Sequence, residues 1–138
     1  MPESLSHMVF VKRIVDYIQT IPQDFVQNLL CAELPGFKSG SPRVLGGSVP
    51  DVFYSDDNTI VIGEAKTDND IDNPHMSKQL DDYISEARTY NAQRHIVLCT
   101  SIIAYAKLKN MIVLKKRRED ITDISFHVLD NFERTEIV

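Results

Sequence analysis

Two short apolar runs, separated by a turn-forming cluster, constrain the fold of this chain more than any other feature. The first run follows Asp51, and the second ends at Glu64. The cluster between them, residues 55–59, contains Asp and Asn residues, which tolerate positive φ angles. This pattern predicts a β-hairpin over residues 50–66. If residues 57 and 58 form a two-residue loop, Asp51 lies directly opposite Glu64, with Cβ atoms roughly 5 Å apart.

Two carboxylates that face each other across a sheet repel, so the predicted hairpin needs a compensating positive charge. A divalent cation such as Mg²⁺ or Mn²⁺ is the obvious candidate, because carboxylate oxygens held close together on rigid strands suit hard cations. Lys66 lies two residues after Glu64, and alternate side chains of a strand share a face. Without a metal, we expect one carboxylate to keep its proton to a higher pH than usual. The alternative is a solvated hairpin edge with an ordinary ion pair between Glu64 and Lys66.

The motif Pro50-Asp51, followed by Glu64-Ala65-Lys66, resembles the signature of the PD-(D/E)XK nuclease superfamily. The sequence Gln79-Leu80-Asp81-Asp82-Tyr83, on the next predicted helix, is similar to the Gln-x-x-x-Tyr motif of the RecB-like branch of that superfamily. Residues 41–47 also resemble, more weakly, the segment that precedes the motif in the VRR-NUC branch. The two motifs cover residues 50–83.

The resemblance implies a restriction-endonuclease-like α/β core and a metal-dependent deoxyribonuclease. Asp51 and Glu64 would then bind Mg²⁺ or Mn²⁺, and the backbone carbonyl of Ala65 would be a further ligand. Lys66 would be the catalytic lysine, which orients the attacking water or stabilises developing negative charge.

Gln79 and Tyr83 are predicted to support this site. They lie four residues apart, so they share one face of a helix. The alternative is that Tyr83 belongs to the core and Gln79 to the surface.

The predicted first helix offers two more candidates. Glu3 is a possible additional metal ligand, because many members of the superfamily supply a Glu from this helix; the alternative is a carboxylate that simply stabilises the helix N-terminus. His7, one turn further on, can face the same site, but we interpret it as an ordinary surface or half-buried histidine.

Positively charged residues indicate where nucleic acid would bind. Lys38 and Arg43, in the loop before the hairpin, are the predicted nucleic-acid-binding residues. The run of residues 115–118, Lys-Lys-Arg-Arg, is better explained by the favourable interaction of cations with a helix C-terminus than by phosphate contacts.

Hydrophobic periodicity predicts a single domain over residues 1–138, with a central mixed β-sheet flanked by helices on both faces. We expect the following elements: helices at 4–20, 22–34, 75–90 and 101–118, a short strand in the loop 37–48, the hairpin at 50–66, an acidic loop at 67–74, and strands at 95–99 and 124–129.

Composition excludes several classes of protein. Apolar residues make up 43% and charged residues 25% of the chain, as in ordinary globular proteins. No stretch is long and apolar enough to span a bilayer, and we see no signal-peptide pattern. Cys31 and Cys99 are expected to be reduced core residues, which indicates a cytoplasmic protein. The net charge of −5 argues mildly against a protein that coats nucleic acid.

These observations predict a DNA nuclease that is structure-selective and resolvase-like, or that is the nuclease subunit of a larger complex. Cleavage of two strands by one small domain favours a homodimer, formed through the apolar surface of the first helix where Val9 and Phe10 widen the stripe. The alternative is a catalytically silent nucleic-acid-binding or structural module with the same fold. The sequence leaves open endonuclease or exonuclease action, and DNA or RNA as substrate.

Overall fold

The computed structural model describes residues 5–138, which form a six-stranded mixed β-sheet with its strands in chain order. The central strands β3, β4 and β5 are parallel to one another. Strand β2 is antiparallel to β3, β1 is antiparallel to β2, and β6 is antiparallel to β5. The strands are β1 Leu30–Ala32, β2 Val52–Ser55, β3 Thr59–Ala65, β4 Gln93–Thr100, β5 Ser125–Asp130 and β6 Thr135–Ile137.

Helices cover both faces of the sheet. Within the described chain they are α1 Leu5–Ile18, α2 Pro74–Ala87 and α3 Tyr105–Glu119. Helix α1 packs on one face, whereas α2 and α3 pack on the other. The predicted mixed α/β architecture is therefore confirmed at this level.

Strand β3 is buried along its whole length, and its alternating side chains serve both layers of the core. Ile60 and Ile62 pack with α2 and α3, while Val61 and Ala65 pack with α1. Because side chains alternate with a period of two, Glu64 and Lys66 point to the α2 face. The carboxyl end of β3 thus presents polar side chains toward a covered face of the sheet.

The predicted hairpin and its register are confirmed. Val52 pairs with Gly63 and Ser55 with Ile60, and the amide of Asp56 donates to the carbonyl of Thr59 at 2.9 Å. The ladder ends at the Val52–Gly63 pair; the amide of Asp51 donates to the carbonyl of Gly63 at 3.0 Å, which brings Asp51 next to Glu64.

The start of α2 also follows the sequence signals. The Asn73 side chain accepts a hydrogen bond from the amide of Met76 at 2.8 Å, and Pro74 occupies the first turn. An Asn cap followed by Pro is a favourable helix start. The expected apolar stripe of this helix is buried, and consists of Met76, Leu80, Tyr83, Ile84 and Ala87.

The predicted helix at residues 22–34 is wrong. The segment contains turns, a short 3-10 helix at Gln27–Leu29, and strand β1. Two tertiary interactions outweigh its helical pattern: β1 pairs with β2, and Phe25 stacks on Tyr54 with ring centroids 5.2 Å apart. Local propensity yields here to hydrogen bonds that only the assembled sheet provides.

Three smaller expectations also need correction. The loop at residues 37–48 contains no strand of the sheet, only an isolated bridge between Leu45 and Ser48. Strand β6 was not predicted; it follows a tight turn in which Asp130 accepts hydrogen bonds from the amides of Phe132 and Arg134. On α1, Phe10 is only 5% exposed and belongs to the core, so it does not widen an outer apolar surface.

Both cysteines are free thiols; Cys99 is buried and Cys31 is partly buried. Within residues 5–138, none of the helices has the length and apolar character needed to cross a membrane.

Gly63 allows α1 to pack directly against the backbone of β3. A Cβ atom at this position would lie 2.7 Å from Cγ2 of Ile14 and 3.1 Å from Cβ of Val52. The backbone φ angle of Gly63 is not in the positive range, so the constraint is space alone.

We predict that Gly63→Ala lowers the free energy of unfolding by about 1–3 kcal/mol, the usual cost of overpacking a core. Urea denaturation measures this value, with Ser85→Ala on the exposed side of α2 as a control expected to stay near wild type. A Gly63→Ala protein as stable as wild type would show that α1 does not pack this closely.

Candidate metal centre

Three side chains from separate elements converge at the carboxyl end of β3. His7 comes from the first turns of α1, Asp51 precedes β2, and Glu64 lies near the end of β3. Each offers one ligand atom, and these atoms all lie within 4.8 Å of one another. Among residues 5–138, they form the group of His, Cys, Asp and Glu side chains suited to hold a metal ion.

The backbone around Asp51 is held on both sides. Its amide donates to the carbonyl of Gly63 at 3.0 Å, and its carbonyl accepts from the amide of Glu33 at 2.8 Å. The Oδ2 atom of its side chain accepts the amide of Ala65 at 2.8 Å and lies 3.2 Å from Nε2 of His7. Asp51 is thus fixed in position before any cation binds.

Burial makes the two carboxylates electrostatically unequal. Burial and the repulsion of Asp51 raise the pKa of Glu64 well above its usual value, although Lys66 and Tyr83 act in the opposite direction. Burial also acts to raise the pKa of Asp51, but hydrogen bonds with His7 and Glu64 outweigh it, so this pKa is lowered. Of the two carboxyls, Glu64 is therefore the one that keeps its proton to a higher pH than usual in the metal-free protein.

Lys66 is 5% exposed, which is unusual for a lysine. Its Nζ atom donates to Oε1 of Gln79. Its amide donates to the carbonyl of Cys99 at 2.9 Å, and its carbonyl accepts from the hydroxyl of Thr100 at 2.6 Å. The alternative of a solvated hairpin edge is wrong, because Asp51, Glu64 and Lys66 are all buried and the described chain has no Glu64–Lys66 ion pair within 4.0 Å.

Helix α2 brings both residues of the Gln-x-x-x-Tyr motif to the site. Tyr83 is fully buried, and its hydroxyl donates to Oε1 of Glu64. Burial and the neighbouring Glu64 raise the pKa of Tyr83, so its hydroxyl stays protonated and acts as a donor. Gln79 is 8% exposed and contacts Lys66, which rules out the alternative of a surface position.

The two predicted nucleic-acid-binding residues, Lys38 and Arg43, have no hydrogen bond or ion pair with His7, Asp51 or Glu64 among the described residues. Arg43 bonds to Glu86 at 3.3 Å and to the hydroxyl of Tyr90 at 3.2 Å, near the end of α2. Lys38 is exposed in the preceding loop. The structure does not bring either of them into the group around Glu64, and their role stays a prediction.

Two further candidates from the sequence have different outcomes. Glu3 lies outside the described residues. Lys115, in the basic run, forms ion pairs of 2.7 Å with Asp81 and with Glu119. The other three cations of the run, Lys116, Arg117 and Arg118, lie in the last turn of α3, and their interaction with the helix C-terminus stays a prediction.

His7 belongs to the site although the sequence favours an ordinary surface or half-buried histidine, and the sequence does not predict a role for Thr100. A signal for His7 was present, because it lies four and seven residues before Val11 and Ile14 and so shares the buried face of α1. Thr100 carries no such signal, since its contact with Lys66 depends on how β4 pairs with β3.

Comparisons of this chain with models of protein families, with curated protein sequences and with solved structures found no match. The chemistry of the centre is therefore inferred from its own residues.

The arrangement fits a small divalent cation. Ligands of an octahedral ion with bonds of about 2.1 Å lie roughly 3–4 Å apart, so ligand atoms within 4.8 Å need only a small inward movement. For such an ion, the two carboxylates would supply the negative charge and His7 would add a nitrogen ligand. The amide of Ala65 contacts this group through Asp51, and the role of the Ala65 carbonyl as a ligand stays a prediction.

We predict that Glu64→Gln changes how stability depends on pH. A raised pKa in the folded state means that Glu64 adds stability below its ordinary pKa and loses it as pH rises through the folded-state value. Metal-free wild type should therefore lose unfolding free energy, relative to Glu64→Gln, as pH rises above about 4.5.

Urea denaturation of both proteins with EDTA, from pH 5 to pH 9, measures this difference. Titrating groups that do not interact with Glu64 are common to the two proteins and cancel, so the difference reports Glu64 and its neighbours Asp51 and Tyr83. Parallel pH profiles would show that Glu64 ionises normally and that its carboxylate is not opposed by Asp51.

Proposed function

We propose that this chain is a metal-dependent nuclease with a restriction-endonuclease-like core, which hydrolyses phosphodiester bonds of DNA. The observation that carries the proposal is the convergence of a buried lysine with a half-buried imidazole and two buried carboxylates at one end of the sheet. Burying a charge costs free energy unless the charge is paired or binds an ion. Groups with perturbed pKa values cluster at functional sites.

Each residue has a distinct task in this proposal. Asp51, Glu64 and His7 hold the cation. When bound, the cation lowers the pKa of a water molecule and polarises the phosphate. Lys66 donates hydrogen bonds from its ammonium, either to the attacking water or to the oxygens that gain negative charge. Its position next to the carboxylates suits both tasks.

Two residues of α2, Gln79 and Tyr83, restrain the side chains of Lys66 and Glu64. Gln79 holds the Lys66 ammonium by accepting a hydrogen bond. Tyr83 occupies one oxygen of Glu64 and leaves the other oxygen for the cation. These contacts fix two flexible side chains before substrate binds, which reduces the cost of ordering them in the transition state.

The ligand atoms also bear on the choice of metal. Carboxylate oxygens suit Mg²⁺ and Mn²⁺, whereas an imidazole nitrogen favours first-row transition metals. His7 therefore makes Mn²⁺ the better fit, although Mg²⁺ stays compatible with the two carboxylates.

We predict that Glu64→Ala and Lys66→Met each lower DNA cleavage by about 100-fold or more, the usual loss when a group that stabilises transition-state charge is removed. Cleavage of labelled linear, single-stranded and branched DNA with Mg²⁺ or Mn²⁺ measures the rates. Calorimetric titration with Mn²⁺ separates the roles: Glu64→Ala should lose binding, while Lys66→Met should keep it.

Lys107→Met, which changes an exposed lysine on α3, is the matched control and should retain full activity. If Lys66→Met cleaves as fast as wild type with both metals, the proposed mechanism is wrong. If wild type binds Mn²⁺ but cleaves none of these DNA substrates, the proposed deoxyribonuclease activity is wrong and the catalytically silent module is favoured.

A further inference from the structure

Thr100 lies beside Lys66 at the point where the chain leaves the sheet. The β3–β4 register pairs Ala65 with Cys99, and one more step pairs Lys66 with Thr100. Both side chains belong to the α2 face, because Leu98 and Ile96 of the same strand pack against that layer. Thr100 is 0% exposed although it carries a hydroxyl.

The hydroxyl of Thr100 completes the hydrogen bonding of the Lys66 backbone. The last ladder bond runs from the Lys66 amide to the carbonyl of Cys99 at 2.9 Å. Beyond it the strands separate, and the Lys66 carbonyl has no amide of β4 to accept from. The Thr100 hydroxyl donates to this carbonyl at 2.6 Å.

Ser101, the residue after β4, restrains the loop that follows Lys66. The hydroxyl of Ser101 donates to Oδ1 of Asp68 at 2.5 Å and accepts the amide of Ala104 at 3.1 Å. One serine thus joins the segment after Lys66 to the segment that leads into α3. Thr100 and Ser101 together restrain the chain on the carboxyl side of Lys66.

We propose that Thr100 is a positioning residue for Lys66, an inference that rests on the proposed function. A lysine has a flexible four-carbon stem, so its ammonium is placed only if both ends are restrained. Gln79 holds the ammonium, and Thr100 holds the backbone from which the stem extends. Among the described residues, the hydrogen bond of the Thr100 side chain goes to Lys66 and not to His7, Asp51 or Glu64, so we expect it to act through Lys66.

Thr100→Val tests this role, since valine keeps the shape of threonine and removes the donor. Displacement of a reacting group by about 1 Å costs up to about 100-fold in rate. We expect kcat for DNA cleavage to fall between 10-fold and 100-fold, with KM and Mn²⁺ affinity unchanged. Thr100→Ser, which restores the hydroxyl, should recover most of the rate.

A second readout does not need catalysis. Buried Lys66 should react slowly with an amine-acylating reagent, and peptide mass spectrometry gives its labelling rate in the metal-free protein. Thr100→Val should label faster at Lys66, whereas Thr100→Ser should label like wild type. Thr59→Val, a buried threonine at the other end of β3, is the matched control and should change neither readout.

The two readouts separate two kinds of failure. If wild type cleaves nothing but Thr100→Val speeds the labelling of Lys66, the proposed function fails and the positioning role stands. If Thr100→Val changes neither kcat nor the labelling rate, the positioning role is wrong. A loss of stability without either change would also overturn it, because Thr100 would then serve the core alone.

Discussion

The opposition of two buried carboxylates, Asp51 and Glu64, is the constraint on which the rest of this structure depends. Like charges in a low-dielectric environment repel strongly, so the folded chain must protonate one of them or bind a cation. The structure shows how the metal-free state manages this: His7 and the Ala65 amide stabilise the charge on Asp51, and Tyr83 hydrogen-bonds to Glu64. A bound cation would offset both charges, which is why we propose a metal at this position.

The fold brings these groups together from both faces of one sheet. Strand β3 is buried throughout and carries Glu64, with Lys66 just beyond its end. Helix α1 contributes His7, while α2, on the opposite face, contributes Gln79 and Tyr83. Gly63 allows α1 to lie close to the strand, and the Asn73 cap fixes where α2 begins. The site therefore depends on the packing of both layers as well as on its own hydrogen bonds.

Turn-forming residues and hydrophobic periodicity, which are local signals in the sequence, predict much of this arrangement. The two-residue loop at Asp57-Asn58 predicted the register of β2 and β3, which brings Asp51 next to Glu64, and periodicity predicted α2 with its buried stripe. Local signals do not predict the role of a residue whose contacts depend on pairing between strands that are far apart in the sequence. Strand β1 is a strand only because β2 lies beside it, and Thr100 reaches Lys66 only because β4 is parallel to β3. His7 is an intermediate case. Its spacing from Val11 and Ile14 predicts that it faces the sheet, but nothing in the sequence predicts its contact with Asp51.

The central claim is that His7, Asp51 and Glu64 bind one cation, and pulsed electron paramagnetic resonance of the Mn²⁺-loaded protein tests it most directly. A coordinated imidazole gives a ¹⁴N modulation of the Mn²⁺ signal, while carboxylates give none. We predict one Mn²⁺ per chain with this modulation in the wild type, and one Mn²⁺ per chain, more weakly bound and without the modulation, in His7→Ala. Stoichiometric Mn²⁺ binding that is unaffected by changing His7, or no specific binding at neutral pH, would contradict the account.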